Sequence, residues 1–226
     1  MRSSNIIAFD IYGTLIDTKG VFNQILSLVK DEQLALNLVD MWRQKQLEYS
    51  FRRGLMRNYV DFSICTKQAL EYVIKYYNLD LSEVEIKNLL DIYKKLPVFS
   101  DVKVSLEKIK ENNIKMYAFS NGKPDDLVEL LKFNKIIDYF DDIISVDPVK
   151  SFKPDPAVYL YLLRKTNGYH ANVYMVSSNP FDVIGAKNAG LFAVWVNRDN
   201  KGVYDPWEIE PDFEISSMRQ LIDIVS

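Results

Sequence analysis

The stretch from Ile6 to Leu15, reading Ile-Ile-Ala-Phe-Asp-Ile-Tyr-Gly-Thr-Leu, constrains the fold of this chain most strongly. A short run that is apolar on consecutive residues has no solvated face, so as a strand it is a buried one. The run breaks at Asp10, and Gly13 and Thr14 follow at once, so the strand delivers one carboxylate to a tight loop. Asp commonly caps a turn where a strand meets a loop. At the end of a wholly apolar run it is also where a nucleophile would sit.

After Leu15 the pattern changes. Apolar positions recur every three and four residues over 21–30, 32–53, 58–77 and 82–95, with Asn, Asp and Gly between, and no proline occurs before Pro97. This reads as a helical domain inserted after the first strand, with Leu96–Ser100 as the return linker. Beyond it, helix and strand alternate. Helices over 101–113, 124–133, 155–166 and 180–189 precede strands at Lys115–Phe119, Asp142–Ser145, Val173–Val176 and Phe192–Val196. A last short strand near Phe213 leads into a terminal helix. Alternation of this kind makes a parallel sheet covered on both faces. The expected class is therefore α/β: a Rossmann-like parallel sheet core with helices on both faces, formed by 1–16 and 98–226, and a helical-bundle cap domain over 17–97.

Composition narrows the function classes. With 226 residues, 48% of them hydrophobic, the chain can bury a sizeable core. Its 28 basic and 31 acidic residues give a net charge of -3, which offers no footprint for nucleic acid and no basic patch for a membrane. The apolar run before Asp10 is too short for a secretory signal or a membrane span, so a cytoplasmic protein is expected. The single Cys65 forms no internal disulfide, and with one histidine, His170, most zinc sites and histidine-dependent triads are excluded. Chemistry must run on carboxylate, Arg, Lys and hydroxyl groups.

Open parallel sheets bind ligands beyond the carboxyl ends of their strands. Asp10, Ser120-Asn121, Ser145 and Ser177-Ser178-Asn179 all follow strand ends, so they converge on one crevice, and the inserted helices leave from that edge as a lid. Thr14 is placed to orient Asp10 through its hydroxyl. Lys153, before Pro154, reads on composition as a surface lysine ahead of a helix. Arg43 stands at helical spacing from Val39 and Leu47, among apolar neighbours. Tyr12, Leu47, Phe62 and Phe181 read equally as core packing or as the wall of a pocket. His170 reads as a surface loop residue and Cys65 as buried packing. Gly185 and Gly190 lack the Lys-Ser/Thr of a phosphate loop, so close helix packing explains them better.

The runs Phe9-Asp10-Ile11-Tyr12-Gly13-Thr14-Leu15, Ser120-Asn121-Gly122, Lys153-Pro154-Asp155 and Ser177-Ser178-Asn179 with Asp182 resemble the four successive motifs of the haloacid dehalogenase superfamily. In detail the chain looks like the L-2-haloacid dehalogenases within it. Trp42-Arg43-Gln44-Lys45-Gln46-Leu47-Glu48-Tyr49-Ser50 is similar to that subfamily's cap helix, and the likeness extends from Asn5 to Asn197. Phosphatases of the superfamily carry a second Asp two residues after the nucleophile, where it protonates a leaving alkoxide; here that position is Tyr12, and a halide needs no proton to leave. Phosphatases also gather further carboxylates for Mg²⁺ after the fourth strand. Asp10 and Asp182 alone are a thin oxygen set, so no metal site and no cofactor is expected.

The resemblance implies hydrolysis of short L-2-haloalkanoic acids to D-2-hydroxy acids through an ester on Asp10. It gives Lys153 the task of reaching and charging the nucleophile's surroundings. Ser120 and the backbone amides from Ile11 onward hold the substrate carboxylate, and Arg43 and Asn121 receive the halide. Ser177, Asn179 and Asp182 position Lys153 and a water, with Asp182 as base. Tyr12, Leu47, Phe62, Tyr159 and Phe181 face the substrate. A homodimer is implied, with the haloacid and halide as the small-molecule partners. A magnesium-dependent phosphatase and a non-catalytic sensor of small acids are the competing readings.

Overall fold

The computed structural model describes residues 5–198, 200 and 202–226, and the His170 side chain lies outside the described part. Six strands form one parallel sheet: β1 (Asn5–Phe9), β2 (Lys115–Ser120), β3 (Asp142–Ser145), β4 (Asn172–Ser177), β5 (Phe192–Val196) and β6 (Phe213–Ile215), in the order β3-β2-β1-β4-β5-β6. The consecutive apolar run puts β1 at the centre, with Phe9 level with Ala118 on one side and Val176 on the other. The strand order reverses between β1 and β4, and that switch point leaves a crevice at the carboxyl edge.

The residues of β1 alternate between two cores, as a two-residue side-chain period requires. Ile7 and Phe9 join an apolar cluster with α5 (Val102–Glu111), α6 (Pro124–Phe133) and α9 (Leu221–Val225). Ile6 and Ala8 join a second with α7 (Pro156–Thr166) and α8 (Pro180–Asn188). The sheet is thus covered on both faces. Cys65 packs in the second cluster, where burial pushes its thiol up to about 11. No helix of the described residues is long and apolar enough to cross a membrane.

Between β1 and α5 stand α1 (Phe22–Val29), α2 (Glu32–Leu55), α3 (Phe62–Tyr76) and α4 (Glu83–Ile92). Local sequence starts these helices. The Asp31 side chain accepts from Leu34 N (2.8 Å) at the head of α2, and Ser82 with Glu85 forms a capping box on α4. Their apolar faces close on one another through Ile25, Leu38, Trp42, Ala69 and Leu89. The helix expected over 58–77 begins only at Phe62. Arg57 takes a left-handed φ of 54° after α2, a break that apolar periodicity does not reveal.

The outgoing and returning connections are tied together. Asp17 N donates to Pro97 O (2.8 Å) and Phe99 N to Leu15 O (3.0 Å). The Asn134 side chain, at the end of α6, buckles the return: Nδ2 donates to Leu96 O (2.9 Å) and Oδ1 accepts from Val98 N (3.1 Å).

Candidate active site

Asp10 follows β1 directly, and its N–H donates to Val176 O (2.9 Å), which fixes it beside the end of β4. The chain then folds over itself. The N–H groups of Thr14, Leu15 and Ile16 all donate to Ile11 O. Gly13 has φ +87°, a region that costs a side-chain-bearing residue energy, so glycine there permits the turn. Among the described residues the N–H groups of Ile11 and Tyr12 take no hydrogen-bond partner, leaving two donors beside the carboxylate. The Ile11 side chain is in the core.

Asp10 is 7% exposed and the two oxygens of its carboxylate are unequally engaged. Oδ2 accepts from Thr14 Oγ1 (2.8 Å), Asn179 Nδ2 (2.7 Å) and Ser177 Oγ (3.2 Å). Oδ1 accepts from Lys153 Nζ alone (3.2 Å). Thr14 Oγ1 also accepts from Ser178 N (2.8 Å), which aims its proton at Asp10.

Lys153 is not a surface lysine. It is 1% exposed, and its ammonium donates to Asp182 Oδ2 (2.8 Å) and Phe119 O (2.9 Å) besides Asp10. The tripod is complete, with one acceptor for each proton. Asn121 Oδ1 accepts from Lys153 N (2.9 Å), so one polar side chain after β2 holds the loop carrying the lysine. The Phe119 carbonyl is a partner that sequence reading missed, because a main-chain oxygen has no sequence signature.

Asp182 lies in the first turn of α8 and is 0% exposed. Desolvation pushes its carboxyl up to about 6, with Lys153 pulling down and Asp10 pushing up. Tyr159 OH donates to its Oδ1 (2.7 Å). Tyr159, grouped with the substrate-facing residues on sequence, therefore stands behind the carboxylates rather than in front of them. It fits there because position 185 is glycine: a Cβ would come within 2.5 Å of the phenol oxygen. Gly190 is different, adopting φ +82° with nothing close, so close packing explains only the first of that pair.

Ser120 Oγ accepts from Gly122 N (3.1 Å), and Ser145 Oγ donates to Gly122 O (2.7 Å), so these hydroxyls shape the loop that presents Asn121. Arg43, half-buried on α2, donates to Gln46 Oε1 (2.7 Å) and toward Tyr12 O (3.4 Å). It pairs with no carboxylate among the described residues. Burial lowers its pKa, opposed by Tyr93, Asp10 and Tyr12. Gln46 was missed on sequence, although its i,i+3 spacing from Arg43 is the available signal.

The single apolar wall expected from Tyr12, Leu47, Phe62 and Phe181 is divided. Tyr12 and Phe62, 6.4 Å apart between ring centroids, line a hollow of about 280 Å³ with Gln46 and Gly122. Phe181 meets Phe51 edge-on at 5.0 Å and lines another hollow of about 740 Å³ that also touches Lys153. Leu47 lines neither. The physical cause is placement: Tyr12 lies on the turn after β1, whereas Phe181 opens α8 and reaches the later part of α2.

Asp10 and Asp182 converge on the Lys153 ammonium, and among the described residues no third His, Cys, Asp or Glu joins them as a metal ligand. Fold and site define an α/β enzyme with a buried Asp–Lys–Asp cluster at the carboxyl edge of its parallel sheet. The model of the haloacid dehalogenase-like hydrolases matches residues 5–190, and the chain belongs to that family. It is 34% identical over 218 residues to the (S)-2-haloacid dehalogenase of Pseudomonas sp. (strain YL), covering 96% of this chain and 93% of that one. It is 30% identical to haloacetate dehalogenase H-2 of Moraxella sp. (strain B), covering 100% of both. The L-2-haloacid dehalogenase of Xanthobacter autotrophicus, solved with chloropropionic acid covalently bound, superposes with a TM-score of 0.89 at 30% identity, over 100% of this chain and 98% of that one.

Proposed function

We propose that the protein is an L-2-haloacid dehalogenase, with 17–97 as its cap domain and 1–16 with 98–226 as its catalytic core. The observation that carries the reading is the asymmetry of Asp10: three donors on Oδ2, one on Oδ1. Oδ1 keeps the freer lone pair and attacks C2 of the haloacid from the face opposite the halogen. The C2–oxygen bond forms as the carbon–halogen bond breaks, and the bonding pair leaves as halide. C2 is inverted. The free N–H groups of Ile11 and Tyr12, with Ser120, hold the substrate carboxylate, and Arg43 with Asn121 faces the halide.

The second step uses the other oxygen. In the ester, Oδ2 is the carbonyl oxygen on which charge collects when water adds, and Thr14, Ser177 and Asn179 already point protons at it. Donors arranged in advance for a developing oxyanion lower the barrier without reorganisation. Asp182, each oxygen of which retains a second lone pair, takes the water's proton. The acyl–oxygen bond then breaks, the departing alkoxide takes the proton that Asp182 received from water, the Asp10 carboxyl gives up its own proton to solvent, and the D-2-hydroxy acid leaves with Asp10 regenerated. Tyr12 stands where a phosphatase carries its second Asp, which favours this reading over the phosphatase, and the Lys153 ammonium supplies part of the charge that a cation would bring. A cytoplasmic homodimer is the expected assembly, which sedimentation equilibrium checks.

A single turnover of 2-chloropropanoate in heavy-oxygen water tests the reading. The label is expected in Asp10, not in the first equivalent of product, and Asp10→Asn is expected to release no halide. Product labelled in the first turnover with Asp10 unlabelled overturns it.

A further inference from the structure

Arg43 sits beside the turn after β1, both groups it hydrogen-bonds are neutral, and the arrangement around it is specific. Nη1 donates to Gln46 Oε1 (2.7 Å). Gln46, one turn along α2, is 0% exposed. Its amide has one possible orientation: arginine offers only protons, so the oxygen must face it and the nitrogen must face away. That nitrogen meets Thr66 Oγ1 (2.6 Å), and the Thr66 hydroxyl proton goes to Phe62 O (3.0 Å), one turn back in α3. Trp42 Nε1 donates to Thr66 O (2.9 Å), pinning α2 to α3 at the same level. The direction of every hydrogen bond in this chain is fixed.

Ordinary helix packing accounts for a buried Gln–Thr pair but not for what the pair omits. A glutamate at position 46 would give Arg43 a charge-assisted bond, the stronger kind. It would also cancel the charge. The amide supplies the same geometry and leaves the guanidinium without a directly paired carboxylate beside Tyr12, on the loop that follows the reacting carboxylate.

We infer that Gln46, locked by Thr66, is a positioning residue that aims Arg43 and keeps its charge available to the departing halide. The inference rests on the dehalogenase reading, in which a full negative charge appears on the halogen as its bond to C2 breaks. Arg43 is the cation that hydrogen-bonds the turn carrying Tyr12.

The test compares Gln46→Glu, Gln46→Leu, Thr66→Val and Thr66→Ser by single-turnover halide release from 2-chloropropanoate and 2-bromopropanoate, inhibition by free bromide, and melting temperature. Gln46→Glu is expected to slow chloride release by about 10²-fold, the scale of losing one pre-aimed electrostatic partner. Bromide release slows less, because the weaker base needs less help, so the chloride-to-bromide rate ratio falls. Bromide inhibition weakens, and the melting temperature does not drop. Gln46→Leu and Thr66→Val move in the same direction, and Thr66→Ser behaves as the wild type. If the Leu or Val variant does not fold, the isosteric Gln46→Glu with Thr66→Ser decides alone. A wild-type rate ratio and wild-type bromide inhibition in Gln46→Glu overturn the inference. A wild-type protein that releases no halide from either substrate overturns the dehalogenase reading, and this inference with it.

Discussion

Lys153 separates two buried carboxylates that repel each other, and its removal measures that role. Taking away one partner of a buried ion pair leaves uncompensated charge and costs about 3–5 kcal/mol. Lys153→Met is expected to lose stability on that scale at pH 8, and less at pH 5, where a carboxyl can take up a proton; urea unfolding at both pH values checks it. Asp182 gives a second test with opposite signs for fold and function. Its carboxyl is pushed up to about 6, above the ordinary value near 4, so between those values the folded chain binds a proton that the unfolded chain does not. This group therefore adds stability as pH falls from 7 to 5, and that contribution is lost as pH rises through 6. Activity runs the other way, since protonated Asp182 neither takes a proton from water nor pairs with Lys153. A turnover rate falling below pH 6 without a matching fall in melting temperature is expected. At this scale Asp10 and Thr14 were legible from an apolar run and a four-residue spacing. Lys153 was legible only through the family resemblance: composition favours solvent, and both of its carboxylates are remote in sequence.

At the scale of elements, the paired connections at 15–17 and 97–99 decide how the α1–α4 helices are carried on the sheet. Asn134 satisfies groups on both sides of the return segment and also donates to Leu130 O (3.0 Å). Asn134→Ala leaves these buried groups unpaired, at about 1–3 kcal/mol. Thermal unfolding is expected to show that loss, whereas Asn134→Asp, which keeps the acceptor for Val98 N, loses less. The helices and strands themselves were largely legible, because each buries one stripe or run that its own sequence displays. The start of α3 was not, because the left-handed turn at Arg57 leaves no mark on periodicity.

At the scale of the whole molecule, the sheet brings four separate loops to one edge, and the cation there is a side chain. Dialysis against EDTA is accordingly expected to change neither melting temperature nor halide release, and a loss restored by added Mg²⁺ would contradict the reading of the Asp10–Lys153–Asp182 cluster. The order β3-β2-β1-β4-β5-β6 is what makes that cluster. By itself the sequence determined the alternation of helix and strand, the central buried strand and the carboxylate at its end, because apolar period and turn chemistry are local properties. Only the tertiary structure decided that Lys153 is buried between two carboxylates, that Tyr159 stands behind Asp182, that Tyr12 and Phe181 line different hollows, and that Thr66 on α3 orients the amide beside Arg43. Those outcomes depend on crossovers and helix packing that join residues far apart in the chain, and no spacing along the sequence encodes them.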